Sequence, residues 1–319
     1  MTKDNKLLNE DIPTLLKQLA IPASTGMIFN TLYNVVDTFY AGLISTQAIA
    51  ALSLSFMIFF LIIGIGYGFS SAITAILGNY MGKARYNLAS LYAQKGLFFL
   101  PLLGFVLGII GYYLSPSLFI LLGAKESYLD DAMTYITPIL FGTAFFMANY
   151  ALNSILVASG DTKTFRNTLI FGFFANLILN PVFMYGFLFI PAFGLQGIAI
   201  ATVLIQILTM LYMLRKVLAL KMIDSFTLAY FLPDLRVYKQ FLSQGIPASL
   251  NMLIMAFGSI ILTYFVTLYS MEAVAGYGIG YRVEQLMLLP ALGLNTAVLT
   301  LVSNNFGAKK YDRVIETLK

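Results

Sequence analysis

The sequence predicts an all-α polytopic membrane protein, and three features support that fold class. Hydrophobic residues occupy 59% of the 319 positions and charged residues only 10%, and the mean hydropathy is +0.84. A soluble domain needs about a quarter of its residues charged to cover its surface. The apolar residues also fall in runs of roughly 20–30, the length that crosses about 30 Å of hydrocarbon.

Eight such segments follow one another along the chain, and each is predicted to form a spanning helix. They lie at about 14–42, 47–78, 90–115, 130–157, 165–189, 195–219, 240–268 and 273–303. The basic residues predict the orientation, because cytoplasmic loops carry an excess of Lys and Arg. With the N-terminus in the cytoplasm, every basic residue except Lys125 and Arg282 belongs to the cytoplasmic side.

The composition also excludes several kinds of chemistry. The chain has no Cys and no His, which rules out disulfides, thiol chemistry, the usual transition-metal ligands and a histidine proton relay. The charged N-terminus "MTKDNKLLNEDIPTLLKQ" lacks the short apolar core of a cleaved signal. The net charge of +5 reflects the basic loops that orient the helices, so we expect no nucleic-acid partner.

An internal repeat organises the chain. The tetrapeptide "IPAS" at 21–24 recurs at 246–249, 225 positions later, and the alignment runs without a gap to "NYMGKARY" (79–86) and "NNFGAKKY" (304–311). Six helices separate the two starts, and an even number keeps both copies in the same orientation. The repeat is therefore predicted to be parallel, about an axis along the membrane normal.

The repeat divides the chain into three parts. We expect a six-helix first lobe at 1–219, a cytoplasmic interlobe linker at 220–239, and a partial second lobe at 240–319 that holds helices 7 and 8. By the same offset, a complete second copy would end at roughly residue 440. The expectation is a transporter truncated after helix 8. A native eight-helix protein is the competing interpretation, although a repeat unit usually needs its whole partner to bury its inner face.

Four motifs, in order along the chain, carry a family resemblance. They are "NVVDTFYAGLISTQAIAALSLS", "SGDTKTFRNTLIFGFFANLILNPVFMYG", "GLQGIAIATVLIQ" and "VSNNFGAKKYDRV". Together they resemble the MATE (multidrug and toxic compound extrusion) family over essentially the whole chain. The resemblance implies twelve helices in two parallel lobes, and a transporter rather than an enzyme, which exports organic cations against inward H+ or Na+.

Polar residues form three stripes on otherwise apolar helices of the first lobe. The stripes are Asn30, Tyr33, Asn34 and Asp37 on helix 1, Asn176 and Asn180 on helix 5, and Thr202 and Gln206 on helix 6. The amides have two equally good explanations: interhelical hydrogen bonds that stabilise the fold by about 0.6 kcal/mol each, or a functional site. Interhelical hydrogen bonds explain Asp37 less well, because a charge at bilayer depth costs several kcal/mol and an amide would serve the same purpose.

The functional interpretation is a cation-coupling site formed by Asp37, Asn176, Asn180 and Thr202. Their oxygens suit a small hard cation such as Na+, and the carboxylate can bind a proton instead. By resemblance, these positions match the coupling cluster of the family's first lobe. The DinF-like branch commonly has Asp where this chain has Asn180, so a single carboxylate remains. That departure favours H+ over Na+, and no cofactor other than the coupling ion is expected.

Further residues are assigned supporting roles. Tyr33, Asn34, Tyr135 and Glu284 are named as cavity-lining or supporting residues, since an aromatic ring such as Tyr33 can stack on a flat cation. Pro22, in helix 1, frees a backbone carbonyl and permits a bend. It is either an ordinary kink or a hinge that bends when Asp37 is neutralised.

Three functions remain open. The first is a secondary antiporter that exports organic cations or drugs in exchange for H+ or Na+ by alternating access. The second is a flippase for lipid-linked saccharides, which would need basic residues in the central cavity to hold phosphates. The third is a non-transporting remnant. For the first we expect a multi-pass protein of the plasma (inner) membrane with a cytoplasmic N-terminus, monomeric when full length, whose partners are the bilayer and a small organic cation.

Overall fold

The computed structural model describes residues 5–121, 126–220, 233–267 and 271–319 of the chain. Side chains at 126–128, 255–257, 259–260, 263–264, 267 and 271–287 lie outside this description. Within it the chain is helical, and the only strand-like pairing is an isolated bridge between Phe187 and Ile190. The helices are α1 (Lys6–Asn9), α2 (Ile12–Ile44), α3 (Thr46–Gly82), α4 (Tyr86–Leu121), α5 (Glu126–Ala158), α6 (Lys163–Tyr185), α7 (Leu195–Ala219), α8 (Leu235–Thr267), α9 (Met271–Gly307) and α10 (Tyr311–Leu318).

Each of the eight predicted spans coincides with one long helix, α2 to α9. Among the described residues, five helices are long and apolar enough to cross a membrane, namely α3 to α7. The protein is therefore an all-α polytopic membrane protein. Helix α6 ends at Tyr185, earlier than the predicted 189, because the chain turns there: Gly186 has a φ of 82° and Phe187 exchanges hydrogen bonds with Ile190.

Short polar side chains set where several helices begin. The Asp11 carboxylate accepts the Thr14 N–H at 3.3 Å at the start of α2, and the Ser45 hydroxyl accepts the Ala48 N–H at 3.0 Å at the start of α3. Asp161 likewise accepts the Thr164 N–H at 2.9 Å, just after α6 begins. Such bonds satisfy backbone donors that the first turn of a helix leaves unpaired.

Helices α2 to α7 pack into one body in which α5 contacts α3, α4 and α7, while α2 and α7 both contact α6. Small residues bring α4 close to α5. A Cβ atom at Gly104 would lie 2.9 Å from the Thr143 carbonyl oxygen, and one at Gly108 would overlap the Leu140 carbonyl oxygen. The sequence spacing, glycine followed by glycine four residues later, is typical of close helix pairs in membranes.

The contacts between the two copies of the repeat are reciprocal. Gly68 of α3 lies against the backbone of Ser249 in α8, and Gly293 of α9, 225 positions after Gly68, lies against Ser24 of α2, the counterpart of Ser249. Correspondingly, α3 packs on α8, α2 packs on α9, and α3 meets α9 between them. This is the pattern of a two-fold interface, in which the same surface is used twice.

The same reciprocity continues at the ends of α3 and α9. A Cβ at Gly82 would overlap the Asn304 carbonyl oxygen, and one at Gly307 would overlap the carbonyl oxygen of Asn79, the counterpart of Asn304. From Gly68 to Gly82 this seam is about 21 Å long, at about 1.5 Å per helical residue. We call the contacts of Gly68, Gly82, Gly293 and Gly307 the glycine seam.

Some predictions fall outside the described residues or differ from the structure. Most of the predicted linker, 221–232, is not described, and α8 begins at Leu235 rather than at 240. The side chains of Arg282 and Glu284 are also not described. Lys95, which the sequence places with the cytoplasmic residues, is only 4% exposed. Helix α4 begins at Tyr86, so Lys95 lies more than two turns into the bundle.

Candidate functional site

Asp37 lies within α2 and faces α6. Its side chain is 4% exposed, and those of Asn176 and Asn180 are fully buried. The side-chain nitrogens of both amides donate to Asp37 Oδ1, from Asn176 at 2.7 Å and from Asn180 at 2.9 Å. Asn180 Nδ2 also lies 2.9 Å from Asn176 Oδ1. No ion pair to Asp37 occurs among the described residues, so hydrogen bonds alone accompany this carboxylate.

Thr202 and Tyr33 extend this cluster towards α7. The Tyr33 hydroxyl donates to Thr202 Oγ1 at 3.0 Å, and Thr202 lines the same cavity as Asp37. Tyr135 of α5 is 7% exposed and lines the same cavity as Asp37. Four helices, α2, α5, α6 and α7, thus contribute side chains to one polar centre.

The helical repeat explains why these residues meet. Residues four apart lie one above the other on a helix. The amides of Asn176 and Asn180 therefore both face the part of α2 that carries Asp37. The opposite face of α6 carries exposed apolar residues such as Phe174 and Ile178, 54% and 65% exposed. The polar stripe therefore faces protein and the apolar face is left for lipid, the arrangement that a charge in a membrane helix requires.

Asn34, named from the sequence as a cavity-lining or supporting residue, lies on the same face of α2 as Asp37. Its side-chain nitrogen donates to the Asn30 carbonyl oxygen at 2.9 Å within α2. It lines the cavity beside Asp37 without joining the cluster. Pro22 lies inside α2, which runs unbroken from Ile12 to Ile44.

The residues around Asp37 fit a small cation. The side-chain oxygen of Asn180 is buried and has no hydrogen-bond partner, which is costly unless something else uses it. In the observed arrangement the amides present nitrogen to the carboxylate. Rotating each amide about its last bond would present oxygen instead, and the carboxylate, two amide oxygens and the Thr202 hydroxyl are hard oxygen ligands. A proton requires no such rotation, because it can bind Asp37 itself.

Two cavities adjoin this cluster. One, of about 510 Å³, lies within the α2–α7 body and is lined by Asp37, Tyr33, Tyr135, Thr202 and aromatic residues that include Phe56, Phe59 and Phe146. The other, of about 1150 Å³, lies between that body and α8 and α9, where Met252, Leu289, Leu292 and Thr296 line it. The two share lining residues such as Asn30, Asn34 and Tyr150. No Lys or Arg lines either cavity among the described residues, and Asp37 is the only acidic residue that does so.

A second polar cluster in the first cavity was only half predicted. Gln206 was noted from its spacing to Thr202, but its partner Asn149 on α5 was not. Asn149 Nδ2 donates to Gln206 Oε1 at 2.8 Å and to Thr209 Oγ1 at 3.2 Å, while its own oxygen is buried without a partner. A lone amide in the apolar stretch "AFFMANYAL" was the available signal.

A family model, MatE, matches residues 22–182 and 247–319 of the chain. Among curated relatives, the chain is 29% identical over 279 residues to "Probable multidrug resistance protein YoeA" of Bacillus subtilis, which covers 86% of this chain and 60% of the relative. It is 26% identical over 313 residues to the "FAD transporter" of Shewanella oneidensis, covering 98% of this chain and 69% of the relative. The chain thus spans about three fifths to two thirds of the length of these relatives.

A solved structure described as the outward-facing conformation of a multidrug resistance MATE family transporter of the MOP superfamily is similar throughout. It superposes with a TM-score of 0.88 at 28% sequence identity, over 99% of this chain and 70% of that chain. The similarity includes the helices that carry Asp37, Asn176, Asn180 and Thr202.

Proposed function

The chain belongs to the MatE family, and from that premise we propose that the protein is a secondary antiporter that exports organic cations or drugs in exchange for a small inorganic cation. The observation that carries the proposal is Asp37. It is a buried carboxylate without an ion pair among the described residues, and it lines a cavity large enough for a small molecule. A structural hydrogen bond does not need that charge, whereas a site that binds and releases a cation does.

We propose that the cation is a proton. A single carboxylate is available, and both amide nitrogens already donate to one of its oxygens. Both donors meet Oδ1, so the other carboxylate oxygen is left to accept a proton. Na+ would require both amides to turn. The Asn176, Asn180 and Thr202 oxygens would hold Na+ with Asp37 if it binds.

The substrate proposal rests on the chemistry of the cavity walls. Aromatic rings, amides and one carboxylate line the two adjoining cavities, with no basic residue among the described ones. Aromatic faces and a carboxylate attract a flat organic cation. A phosphate-bearing lipid would need basic groups, so the lining favours the antiporter over a lipid-linked saccharide flippase.

The remaining assignments follow the repeat. We propose that 1–219 and 240–319 belong to two lobes joined at 220–239, and that the substrate route lies between them. We place the protein in the plasma membrane with a cytoplasmic N-terminus. The excess of basic residues in the loops predicted to be cytoplasmic supports that orientation. Alternating access then requires the lobes to separate at one membrane face while they meet at the other.

The experiment that tests this function is transport by purified protein in vesicles. A fluorescent organic cation should move when a pH gradient is imposed and stop when the gradient is collapsed. Transport that continues at the same rate without any ion gradient would show that the protein is not a coupled antiporter.

A further inference from the structure

Residues 5–10 make a set of contacts that neither the family match nor the site explains. Helix α1 and its flanking residues, Asn5–Glu10, lie at the same end of the bundle as the ends of α9 and α10. Leu7 packs in a cluster with Leu15 and Leu19 of α2 and with Ala297 and Leu301 of α9. It also lies beside Gly160, between α5 and α6. The segment therefore lies across the joint between the two copies of the repeat.

Side chains of the second copy hold this segment by its backbone. The Arg313 guanidinium donates to the Glu10 carbonyl oxygen at 2.6 Å and to the Leu7 carbonyl oxygen at 3.4 Å. Its Nε donates to Asn305 Oδ1 at 3.0 Å, and Asn305 Nδ2 in turn donates to the Leu7 carbonyl oxygen at 3.1 Å. Asn305 is fully buried, so its orientation is set by the surrounding helices.

A second basic residue adds to the attachment. Lys310 Nζ donates to the Leu8 carbonyl oxygen at 2.8 Å and to Asn9 Oδ1 at 3.1 Å. The carbonyls at the end of a helix have no partner within it, and cationic side chains satisfy them well. Arg313 and Lys310 therefore bind the free carbonyl oxygens at the end of α1. In each of these hydrogen bonds the donor carries a positive charge.

Arg313 has no basic counterpart in the first copy of the repeat. The glycine seam uses each surface twice, once in each copy. The counterpart of Arg313, 225 positions earlier, is Leu88, whose apolar side chain has no donor for such hydrogen bonds. At the mirrored joint the Tyr92 hydroxyl instead donates to Gln240 Oε1 at 2.6 Å. The Arg313 contact crosses the joint between the two copies, and the packing of the repeat does not require it. Such a contact is suited to regulating the opening of the joint.

We propose that Asn5–Glu10 is a latch that holds the two lobes together on their predicted cytoplasmic side. Arg313 is the main residue that binds this latch. The proposal rests on the alternating-access function proposed above. Opening towards the cytoplasm then requires two events. The latch leaves Arg313 and Lys310, and the glycine seam separates along α3 and α9.

The absence of native Cys allows a direct test with single-cysteine reporters. Ala297→Cys reports on the cluster under the latch, because Ala297 is fully buried. Ser249→Cys reports on the opposite edge of the interface, because Ser249 is 4% exposed and lies against Gly68. The measurement is the alkylation rate of each reporter by a small water-soluble methanethiosulfonate, with the protein in lipid nanodiscs.

Arg313→Gln should raise the alkylation rate at both reporters by about tenfold, since it removes charged hydrogen bonds to two carbonyls and an amide. Arg313→Lys should give a smaller increase, because one ammonium cannot reproduce the forked guanidinium contacts. Arg236→Gln is the matched control. Arg236 is exposed, and it should leave both rates unchanged.

The two reporters distinguish a latch that controls the lobes from a segment that only packs on the surface. An increase at Ala297→Cys with none at Ser249→Cys would overturn the proposal, because the segment would then detach without releasing the lobes. No increase at either site would also overturn it. If Arg313→Gln does not fold, Lys310→Gln gives the same pair of readings with a smaller increase. Alkylation does not depend on an ion gradient, so this result stands apart from the transport test.

Discussion

Asn180 donates to Asp37 Oδ1 at 2.9 Å while the oxygen of the same amide has no partner. One amide therefore stabilises the carboxylate and carries an unused acceptor beside it. The arrangement is asymmetric between the copies of the repeat, because the counterpart of Asp37 is Leu262. Only the first copy has a carboxylate at this position.

Asp37→Asn should abolish gradient-driven export and leave the protein folded. The amide keeps the shape of the side chain but can neither bind a proton nor carry a negative charge. Uptake of a fluorescent cation by vesicles under an imposed pH gradient should fall to the rate of protein-free vesicles. Asp312→Asn, at an exposed position of α10, is the control and should transport normally. Export at the normal rate by Asp37→Asn would remove Asp37 from the coupling site.

The coupling ion can be identified by collapsing one gradient at a time. Because one carboxylate is present, loss of the Na+ gradient alone should leave most of the transport rate intact. Asn180→Asp adds a second carboxylate and should increase dependence on Na+, because charge count governs how tightly an oxygen site holds a hard cation. Complete loss of transport in the unmodified protein without Na+ would reverse the assignment to H+.

Pro22→Ala should slow export without lowering the amount of folded protein. Proline removes a backbone hydrogen bond within α2 and permits a bend, whereas alanine can make that bond and resists bending. The measurement is the initial rate of vesicle transport, compared with Pro101→Ala in α4, a helix that carries no residue of the Asp37 cluster. An unchanged rate for Pro22→Ala would show that Pro22 is only a structural kink.

Gly104→Ala should lower the unfolding temperature by several degrees. Its Cβ would lie 2.7 Å from Met147 Cγ and 3.0 Å from Ala144 Cα, and overpacking of this kind costs about 1–3 kcal/mol. Thermal unfolding in detergent is the measurement. Gly258→Ala in α8 is the matched control, since no atom of the described residues lies within 4 Å of a Cβ there. Equal unfolding temperatures for the two variants would contradict the packing described for α4 and α5.

The orientation in the membrane can be tested with single-cysteine variants, because the chain has no native Cys. Phe189→Cys, at a position 99% exposed in the turn after α6, should react with an impermeant thiol reagent added to intact cells. Lys83→Cys, in the connection between α3 and α4, should react only after the membrane is opened. The reverse pattern would place the N-terminus outside.

Hydropathy located the helices well because it is a local property of the chain. Any run of about 20 apolar residues must span the bilayer as a helix, whatever packs against it. Asp37 stood out for a similar reason, since a carboxylate in such a run is costly in itself. The spacing of Asn176 and Asn180 followed from the helical repeat alone.

The atoms that face one another were decided only by the tertiary structure. Sequence spacing placed the Asn176 and Asn180 side chains on one face of their helix, and the family resemblance grouped them with Asp37. Neither showed which end of each amide meets the carboxylate. Sequence spacing did not pair Asn149 with Gln206, because that contact depends on how α5 and α7 are rotated against each other. The spacing of the α4 glycines is present in the sequence, but it does not show that α5 is the helix that packs against them.

The sequence by itself determined the helices, the parallel repeat and the lone carboxylate, because each is written in neighbouring residues or in a fixed offset. Only the tertiary structure brought Arg313 to the carbonyl oxygens of Leu7 and Glu10. Backbone carbonyls are the same in every residue, so nothing in the chain marks which of them a distant guanidinium binds. That choice belongs to the packing of α9 and α10 against α2, and it exists only in the folded protein.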